Sequence, residues 1–251
     1  MPTIPRVHIS TALADGVTVL PDEAVERYLL KTLRLSVGAV VYLFDGTISA
    51  EWKAVIETVQ PLRLRLVEFT EKNVESALHI SVALCICKAE AMEYSLQKLT
   101  ELGANRLILL NCTHSTSHGQ SNLNENRLRR LHRIAVEASE QCGRVIVPEL
   151  NVATSWQQFS RLLHPGLRIV LKERGADVQP LCKDLGPTSF ITVLVGPEGG
   201  FASQELDTAI HTYQFIPVHL GPRILRCETA VLSAVSLCQA IWGDFSGDRM
   251  A

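Results

Sequence analysis

Apolar runs alternate with helix-like segments between residues 79 and 242, and this alternation most constrains how the chain can fold. Runs typical of buried strands occur at His79–Cys87, Arg106–Asn111, Leu167–Leu171, Phe190–Val195 and Phe215–His219. Segments typical of helices separate or follow them, at Glu90–Leu102, Asn124–Gln141, Thr154–Leu163, Ser203–Tyr213 and Thr229–Trp242. Strands that alternate with helices favour a mostly parallel sheet that helices cover on both faces. The sequence therefore predicts an α/β fold for this region.

The first 70 residues carry a different pattern, in which short strands dominate. Strands are predicted at Val40–Phe44, Ala50–Thr58 and Leu62–Phe69. The last begins LRLRL, an alternation that gives one buried and one solvated face. One helix is predicted at Pro21–Arg34, with acids at its start and bases at its end. The polar segment 70–77 is the predicted linker, which divides the chain into residues 1–72 and residues 73–251.

The small net charge excludes one class of nucleic-acid binder. The 251 residues contain 24 Lys and Arg against 26 Asp and Glu, a formal net charge of −2. Proteins that bind nucleic acid through overall positive charge carry an excess of bases. Local clusters of bases are explained either by solvated faces or by contacts to RNA phosphates; they are Lys31 with Arg34, Arg63 with Arg65, and Arg127, Arg129, Arg130 and Arg133.

The cysteines indicate a reducing compartment. There are seven, without a Cys-x-x-Cys motif, and most lie in apolar runs, so we expect a cytoplasmic protein with reduced thiols. Cys112, His114 and His118 have a spacing that suggests a metal site, but the stretch is rich in Ser, Thr and Gly and offers no obvious fourth ligand. We predict a polar loop there and no metal. No apolar run approaches the ~20 residues of a membrane-spanning helix, so we expect no membrane partner.

Two glycine-bearing segments each follow an apolar strand and lead into a helix. The first, ITVLVGPEGGFASQEL, spans residues 191–206, and its helix has Ser203 as the predicted N-cap. Its glycines permit backbone conformations, and close ligand approach, that other residues do not. Ligands of α/β sheets bind at loops of this kind, beyond the carboxyl ends of strands. A tight turn without a ligand is the structural alternative.

The second segment, VHLGPRILRCETAVLSAV, spans residues 218–235. It places Arg223, Arg226 and Glu228 within six residues beside an apolar helix. Charges there are costly to bury unless they are paired or serve a substrate, so a salt-bridged helix start is the alternative to a functional site. Neither segment matches GxGxxG or GxxxxGK[ST], which disfavours a nucleotide-dependent oxidoreductase.

Five ordered motifs resemble the bacterial 16S rRNA uridine-N3 methyltransferase family, within the SPOUT class of S-adenosylmethionine-dependent RNA methyltransferases. The two most specific are VGPEGGF at 195–201 and LGPRILRCETA at 220–230. The others are TLRLSVGAVVYLFDG at 32–46, KAEAMEYSLQKLTELG at 88–103 and EASEQCGRVIVPE at 137–149. The resemblance covers nearly the whole chain. Family members often carry Glu-Arg where this chain has Thr113-His114.

The resemblance implies a fold, a cofactor and an assembly. It implies a trefoil-knotted, parallel-sheet methyltransferase domain over 73–251, preceded by a PUA-like or OB-like RNA-binding β-barrel over 1–72. Family members are typically homodimers with the cofactor site near the dimer interface. The implied cofactor is S-adenosylmethionine, with S-adenosylhomocysteine as product. The residues implied to surround it are Leu171, Gly196, Pro197, Gly199, Gly200, Leu220, Gly221, Ile224, Leu225, Thr229 and Ala230.

The implied reaction is methylation of uracil N3 in 16S rRNA of the small ribosomal subunit. N3 must lose its proton to become a good nucleophile, and the negative charge spreads onto the flanking carbonyl oxygens. Arg226 is the first candidate to stabilise that charge, and Arg223 the second, as a phosphate contact. Glu228 or Glu198 accepts the proton or orients an arginine, and the sequence does not choose between them. The alternative function is a non-catalytic RNA-binding or ribosome-assembly module that retains the fold.

Overall fold

The structure is a computed structural model that describes residues 4–11, 13–14, 17–115, 123–173, 175, 178–182 and 185–245. The chain folds into two compact units. The first contains Met1–Glu75 and Val136–Val147, and the second contains Ser76–Ala135 and Pro148–Ala251. The division at residue 75 falls inside the polar segment 70–77. The assignment of residues 136–147 to the first unit has no counterpart in the sequence pattern.

The first unit is built on a five-stranded sheet. Its strands are β1 (Arg6–His8), β2 (Thr18–Val19), β3 (Val40–Phe44), β4 (Ala50–Val59) and β5 (Leu62–Glu71), in the spatial order β1-β3-β4-β5-β2. β1 pairs with β3 in parallel, and the other neighbours are antiparallel. The alternation predicted for LRLRL is confirmed, because its three leucines are buried and its two arginines are exposed.

One helix, α1 (Glu23–Arg27), lies in the first unit and continues as a π-helical turn over Tyr28–Thr32. The Asp22 carboxylate caps it by accepting a hydrogen bond from the Val25 N–H at 2.9 Å. Leu29 is fully buried with the apolar residues of the sheet. The helix predicted over Pro21–Arg34 is therefore present, although it is shorter than the sequence pattern suggests.

Residues 136–147 are held in the first unit by specific polar contacts. The His8 N–H donates to the Glu140 carboxylate at 2.9 Å, and the Val147 N–H donates to the Gly46 carbonyl at 3.0 Å. Arg144 is buried and donates from Nε and Nη2 to the two oxygens of Glu75. Such a two-pronged pair fixes both direction and distance between the groups it joins.

The second unit is built on a seven-stranded, wholly parallel sheet. Its strands are β6 (His79–Cys85), β7 (Arg106–Leu110), β8 (Glu149–Ala153), β9 (Leu167–Leu171), β10 (Gln179–Pro180), β11 (Phe190–Val195) and β12 (Ile216–His219), in the spatial order β10-β12-β9-β11-β6-β7-β8. All six pairings are parallel. The predicted parallel sheet is confirmed; β8 and β10 were not predicted.

Helices cover both faces of this sheet. They are α2 (Ala89–Glu101), the part of α3 (Glu125–Cys142) that precedes residue 136, α4 (Trp156–Arg161), α5 (Ser203–Asp207), which continues as a π-helical turn over Thr208–Thr212, and α6 (Cys227–Trp242). Successive residues of β6 enter two different apolar clusters: Val82 packs with residues of α2 and α6, while Ala83 packs with Phe159 of α4. This is why the strands read as continuous apolar runs. Among the described residues, no helix has both the length and the apolar character that crossing a membrane requires.

Candidate active site

The sheet brings the two glycine-bearing segments to one edge. β11 and β12 both pair with β9, so their carboxyl ends lie on either side of Leu171, the last residue of β9. The loop that follows β11 is called the GPEGG loop (Gly196–Ala202), and the loop that follows β12 is called the GPR loop (Leu220–Arg226). Parallel strands place the loops beyond their carboxyl ends side by side, where ligands of α/β sheets bind.

The GPEGG loop is packed against the rest of the unit. Gly200 has φ +70° and donates from its N–H to the Pro197 carbonyl at 2.9 Å, which closes a tight turn. A Cβ on Gly196 would lie 3.0 Å from the ring of Phe201, and a Cβ on Gly199 would lie 3.1 Å from Cβ of His114. These two glycines therefore make room for side chains of the protein itself, whereas a Cβ on Gly200 would meet nothing within 4 Å.

A buried carboxylate anchors the end of the GPEGG loop. Helix α5 begins at Ser203, and its N-cap is Ala202, so the prediction of Ser203 as N-cap is wrong. Alanine has no side-chain acceptor for the first-turn N–H groups, so it can form only the reciprocal half of a capping box, in which Glu205 accepts the Ala202 N–H at 3.0 Å. Glu205 also accepts the Thr113 N–H at 2.8 Å. The sequence pattern places Glu205 in the first turn of the helix but gives no signal for its bond to Thr113.

The GPR loop is open where the GPEGG loop is packed. Gly221 has φ +108°, a conformation that favours glycine, and a Cβ there would meet nothing within 4 Å. The Gly221 N–H donates to His219 Nδ1 at 3.1 Å. Ile224 is 82% exposed, which is unusual for an isoleucine inside a folded unit. The remaining predicted cofactor positions on this side, Leu220, Leu225 and Ala230, are half-buried, and Thr229 is exposed.

The predicted catalytic charges lie at this same edge. Helix α6 begins at Cys227, two residues before its predicted start, with Arg226 as its N-cap. Arg223 and Arg226 are exposed, Glu228 is half-buried in the first turn, and Glu198 accepts the Lys88 N–H at 3.4 Å. In the part of the chain that the structure describes, these two arginines and two glutamates form no ion pair. A salt-bridged helix start therefore does not explain them.

The buried thiol of Cys227 lies near both candidate carboxylates, and its pKa responds to their charges. A hydrogen bond with Cys87 and burial raise the pKa of Cys227, and the negative charges of Glu198 and Glu228 raise it further. Both carboxylates consequently act on one point at the start of α6. Cys87 follows β6 and contacts Cys227 at the start of α6, and the neighbouring Lys88 N–H donates to Glu198 in the loop after β11, so these three segments meet there.

The prediction that all cysteines are reduced thiols is wrong for two of them. Cys85 and Cys112 form a disulfide bond. Cys85 is the last residue of β6 and is in register with Leu110 of the neighbouring strand, so Cys112, two residues further along, comes within bonding reach. His118 lies outside the described residues. Among those described, no group of three or more His, Cys, Asp or Glu side chains is placed to hold a metal ion.

The arginine cluster on α3 is mostly engaged in ion pairs. Arg130 donates two hydrogen bonds to Glu93 of α2, at 2.8 and 2.9 Å, and Arg127 lies 3.2 Å from the same carboxylate. The bonds from Arg130 hold the pKa of Glu93 below its ordinary value. Arg129 pairs with Glu125 at 3.1 Å. These pairs neutralise much of the charge that the sequence offers for contact with RNA phosphates.

This chain is similar over almost its whole length to three known proteins. Ribosomal RNA small subunit methyltransferase E of Buchnera aphidicola subsp. Acyrthosiphon pisum is 28% identical, over 96% of this chain and 95% of its own. A putative methyltransferase of Legionella pneumophila, solved with bound S-adenosylmethionine, has a TM-score of 0.88 at 29% identity over 97% of this chain and 100% of its own. A ribosomal RNA small subunit methyltransferase E of Neisseria gonorrhoeae, also bound to S-adenosylmethionine, has a TM-score of 0.86 at 28% identity with the same coverage.

The family model for the RNA methyltransferase domain matches residues 74–239. This range includes the whole seven-stranded sheet and both loops at its carboxyl edge. The match confirms the resemblance carried by the sequence motifs, and the chain belongs to the RNA methyltransferase family.

Proposed function

We propose that this protein transfers the methyl group of S-adenosylmethionine to N3 of a uridine in 16S rRNA of the small ribosomal subunit. The observation that carries the proposal is the group of two arginines and two glutamates, without ion pairs in the described structure, beside two glycine-bearing loops at the carboxyl edge of the sheet. Charges that form no ion pair within the protein remain available for interactions with a charged or polar ligand. The names of the relatives support small-subunit ribosomal RNA as the substrate and S-adenosylmethionine as the methyl donor. The choice of uridine N3 rests on the resemblance of the sequence motifs.

The residues at the edge fit a methyl donor of this kind. Gly200 and Gly221 have positive φ, and the space in front of each is open, so backbone groups are accessible to a ligand. The GPEGG loop, the GPR loop with the first turn of α6, and Leu171 form the three sides of the proposed cofactor site. Bound S-adenosylmethionine supplies an electrophilic methyl group on a positively charged sulfur, and S-adenosylhomocysteine is released.

In this proposal each charged side chain has a separate role in the reaction. Arg226 lies at the N-cap of α6 and stabilises the negative charge that develops on the uracil carbonyl oxygens. Arg223 contacts an RNA phosphate. Glu228 or Glu198 accepts the N3 proton or orients Arg226, and both lie close enough to the start of α6 to affect the Cys227 thiol. Alignment of the two reactants contributes a further part of the acceleration.

Three further features belong to the proposal. Residues 1–72 form a PUA-like or OB-like barrel that docks the RNA, supported by the five-stranded sheet of the first unit. The domain over residues 73–251 is threaded as a trefoil knot, and the non-sequential strand order β12-β9-β11 supports this. The protein works in the cytoplasm, where its ribosomal substrate is found, and it forms a homodimer, as the family resemblance implies.

Labelled methyl transfer onto small subunits that lack the modification tests the proposal. We expect incorporation of one methyl group and identification of N3-methyluridine by mass spectrometry of the digested RNA. Subunits that already carry the modification serve as the control and accept no label. A 2′-O-methyl product would overturn the choice of N3, and an absence of transfer to any ribosomal RNA would overturn the activity.

Hydrogen–deuterium exchange tests the position of the cofactor site. Addition of S-adenosylmethionine should slow exchange in peptides that contain residues 196–202 and 220–230. Peptides from β4 and β5 of the first unit serve as an internal control and should exchange at an unchanged rate. Protection confined to other segments would overturn the assignment of the two loops.

A further inference from the structure

Glu205 is a buried carboxylate that touches three separate segments of the second unit. It is 9% exposed. Its Oε2 accepts the N–H of Ala202, the last residue of the GPEGG loop, at 3.0 Å. Its Oε1 accepts the N–H of Thr113, in the loop after β7, at 2.8 Å, and also lies 3.5 Å from the indole N–H of Trp156 at the start of α4. Charge-assisted bonds of this kind are stronger than bonds between neutral groups.

The loop after β7 in turn packs on the GPEGG loop. His114 follows Thr113 and donates from Nδ1 to the Gly200 carbonyl at 3.1 Å. Its Cβ also occupies the space in front of Gly199. Glu205 therefore holds the GPEGG loop at two points: directly through Ala202, and indirectly by fixing the backbone that carries His114.

We infer that Glu205 is a positioning residue, which holds the GPEGG loop in its binding conformation before the methyl donor arrives. A loop that is already ordered loses less conformational freedom when it binds a ligand, so the ligand binds more tightly. Glu205 does not touch the reacting atoms in this arrangement, and its effect falls on affinity for the donor. The inference rests on the proposed function, in which the GPEGG loop surrounds S-adenosylmethionine.

Four substitutions, two at Glu205 and two controls, separate this role from a general loss of stability. Glu205→Ala removes both acceptor oxygens, while Glu205→Gln keeps one acceptor and turns an amide N–H₂ toward the other donor. Gln204→Ala is the control on the same helix, where the side chain is exposed. Glu51→Ala is the stability control, because Glu51 is also a buried carboxylate but lies in the first unit, paired with Arg6 and Lys72.

The experiment measures the dissociation constant of S-adenosylmethionine by calorimetry, together with KM for the donor, kcat and the melting temperature. We expect Glu205→Ala to raise the dissociation constant and KM by on the order of tenfold or more, because the loop must be ordered on binding. At saturating donor, kcat should stay within about twofold. Glu205→Gln should fall between Glu205→Ala and the wild type. Glu51→Ala should lower the melting temperature without changing KM for the donor.

The outcomes distinguish this inference from the proposed function. A wild-type protein that does not bind S-adenosylmethionine overturns the proposed function itself. A wild type that binds, with folded Glu205→Ala and Glu205→Gln proteins that bind equally well, overturns only the role of Glu205. A loss of kcat with unchanged donor affinity also overturns it. If Glu205→Ala does not fold, Glu205→Gln provides the test. An unchanged dissociation constant of S-adenosylmethionine for that variant would overturn the role of Glu205.

Discussion

Polar side chains at the amino ends of the strands of the seven-stranded sheet (the amino edge) are packed or paired, whereas the arginines at the carboxyl ends (the carboxyl edge) are not. At the amino edge, the rings of His79, His164 and Phe190 pack together, with centroids 5.4 Å apart in two of the pairs. Arg106, at the start of β7, donates to Glu149 at 2.9 Å and to the Leu162 carbonyl at 3.2 Å. At the carboxyl edge, the arginines of the GPR loop are exposed, and they form no ion pair with any described residue.

This difference distinguishes polar groups that stabilise the fold from charged groups that are available to a ligand. Polar groups that are paired or packed contribute to the free energy of unfolding. Exposed charges without partners contribute little to it, and they remain available for interactions that form only with substrate. A substitution at the amino edge should therefore change stability and spare activity, and a charge substitution at the carboxyl edge should do the reverse.

Arg226→Ala should give the largest effect. We expect kcat/KM for methyl transfer to fall by about 10²–10³-fold, because a donor aimed at developing negative charge is lost. The free energy of unfolding should change by less than about 0.5 kcal/mol, since the side chain is exposed and the backbone cap is retained. Arg161→Ala, another exposed arginine in the same unit, is the control. Near-normal turnover of Arg226→Ala would remove this residue from the reaction.

Gly196→Ala tests the packed side of the carboxyl edge. The new Cβ would lie 3.0 Å from the Phe201 ring, so we expect a loss of about 1–3 kcal/mol in the free energy of unfolding. Affinity for the methyl donor should fall with it, because the same contact shapes the GPEGG loop. The double variant Gly196→Ala/Phe201→Leu should recover part of both losses in denaturant unfolding and calorimetry. Absence of any recovery would show that Phe201 is not the reason for the glycine.

Arg106→Ala should change stability alone. The substitution removes the bonds to Glu149 and to the Leu162 carbonyl, and we expect a loss of about 1 kcal/mol, because Glu149 stays well exposed to water. Denaturant unfolding measures the loss. Methyl transfer at saturating substrates should match the wild type at a temperature where the variant is folded. A strong loss of activity without loss of stability would contradict the division between the two edges.

The smallest effect concerns pH at the amino edge. Burial, with the nearby His164 and Arg106, lowers the pKa of His79 below its ordinary value near 6.5. The unfolded chain therefore binds a proton at this site more readily than the folded one. Its contribution to stability is fully present above about pH 6.5 and declines as the pH falls below that value. Unfolding measured from pH 8 to pH 5 should show a shallower decline for His79→Gln than for the wild type; parallel curves would refute the assignment.

Much of the second unit follows from periodicity. The strands β9 and β11 have the predicted bounds, and α2 and α3 differ from prediction by one residue at each end. The sequence pattern does not predict β8, because Glu149 and Asn151 interrupt the continuous apolar run that marks a buried strand; β8 pairs only with β7, at the end of the sheet. α6 begins at Cys227, two residues before the predicted start at Thr229. Cys227 is buried, and Arg226 caps the helix without a side-chain hydrogen bond, so no residue of the usual capping type marks the start in the sequence.

The candidate site was predictable in its residues and not in its contacts. Local motifs place Gly196, Gly221 and Arg226 in loops after strands, since strand ends and helix starts are encoded over a few neighbouring residues. The bond from Thr113 to Glu205 joins residues 92 positions apart, and the ion pairs that occupy Arg127 and Arg130 join two helices. A pattern of neighbouring residues cannot predict contacts between residues so far apart along the chain.

Apolar periodicity and short motifs are enough to predict the α/β class, the parallel sheet and the two loops that carry the charges. The folded chain is needed to see which charges are paired, which glycines face protein and which face open space, and that Cys85 is bonded to Cys112. The physical reason is the register of parallel strands, which brings together side chains that long crossover connections keep far apart along the chain.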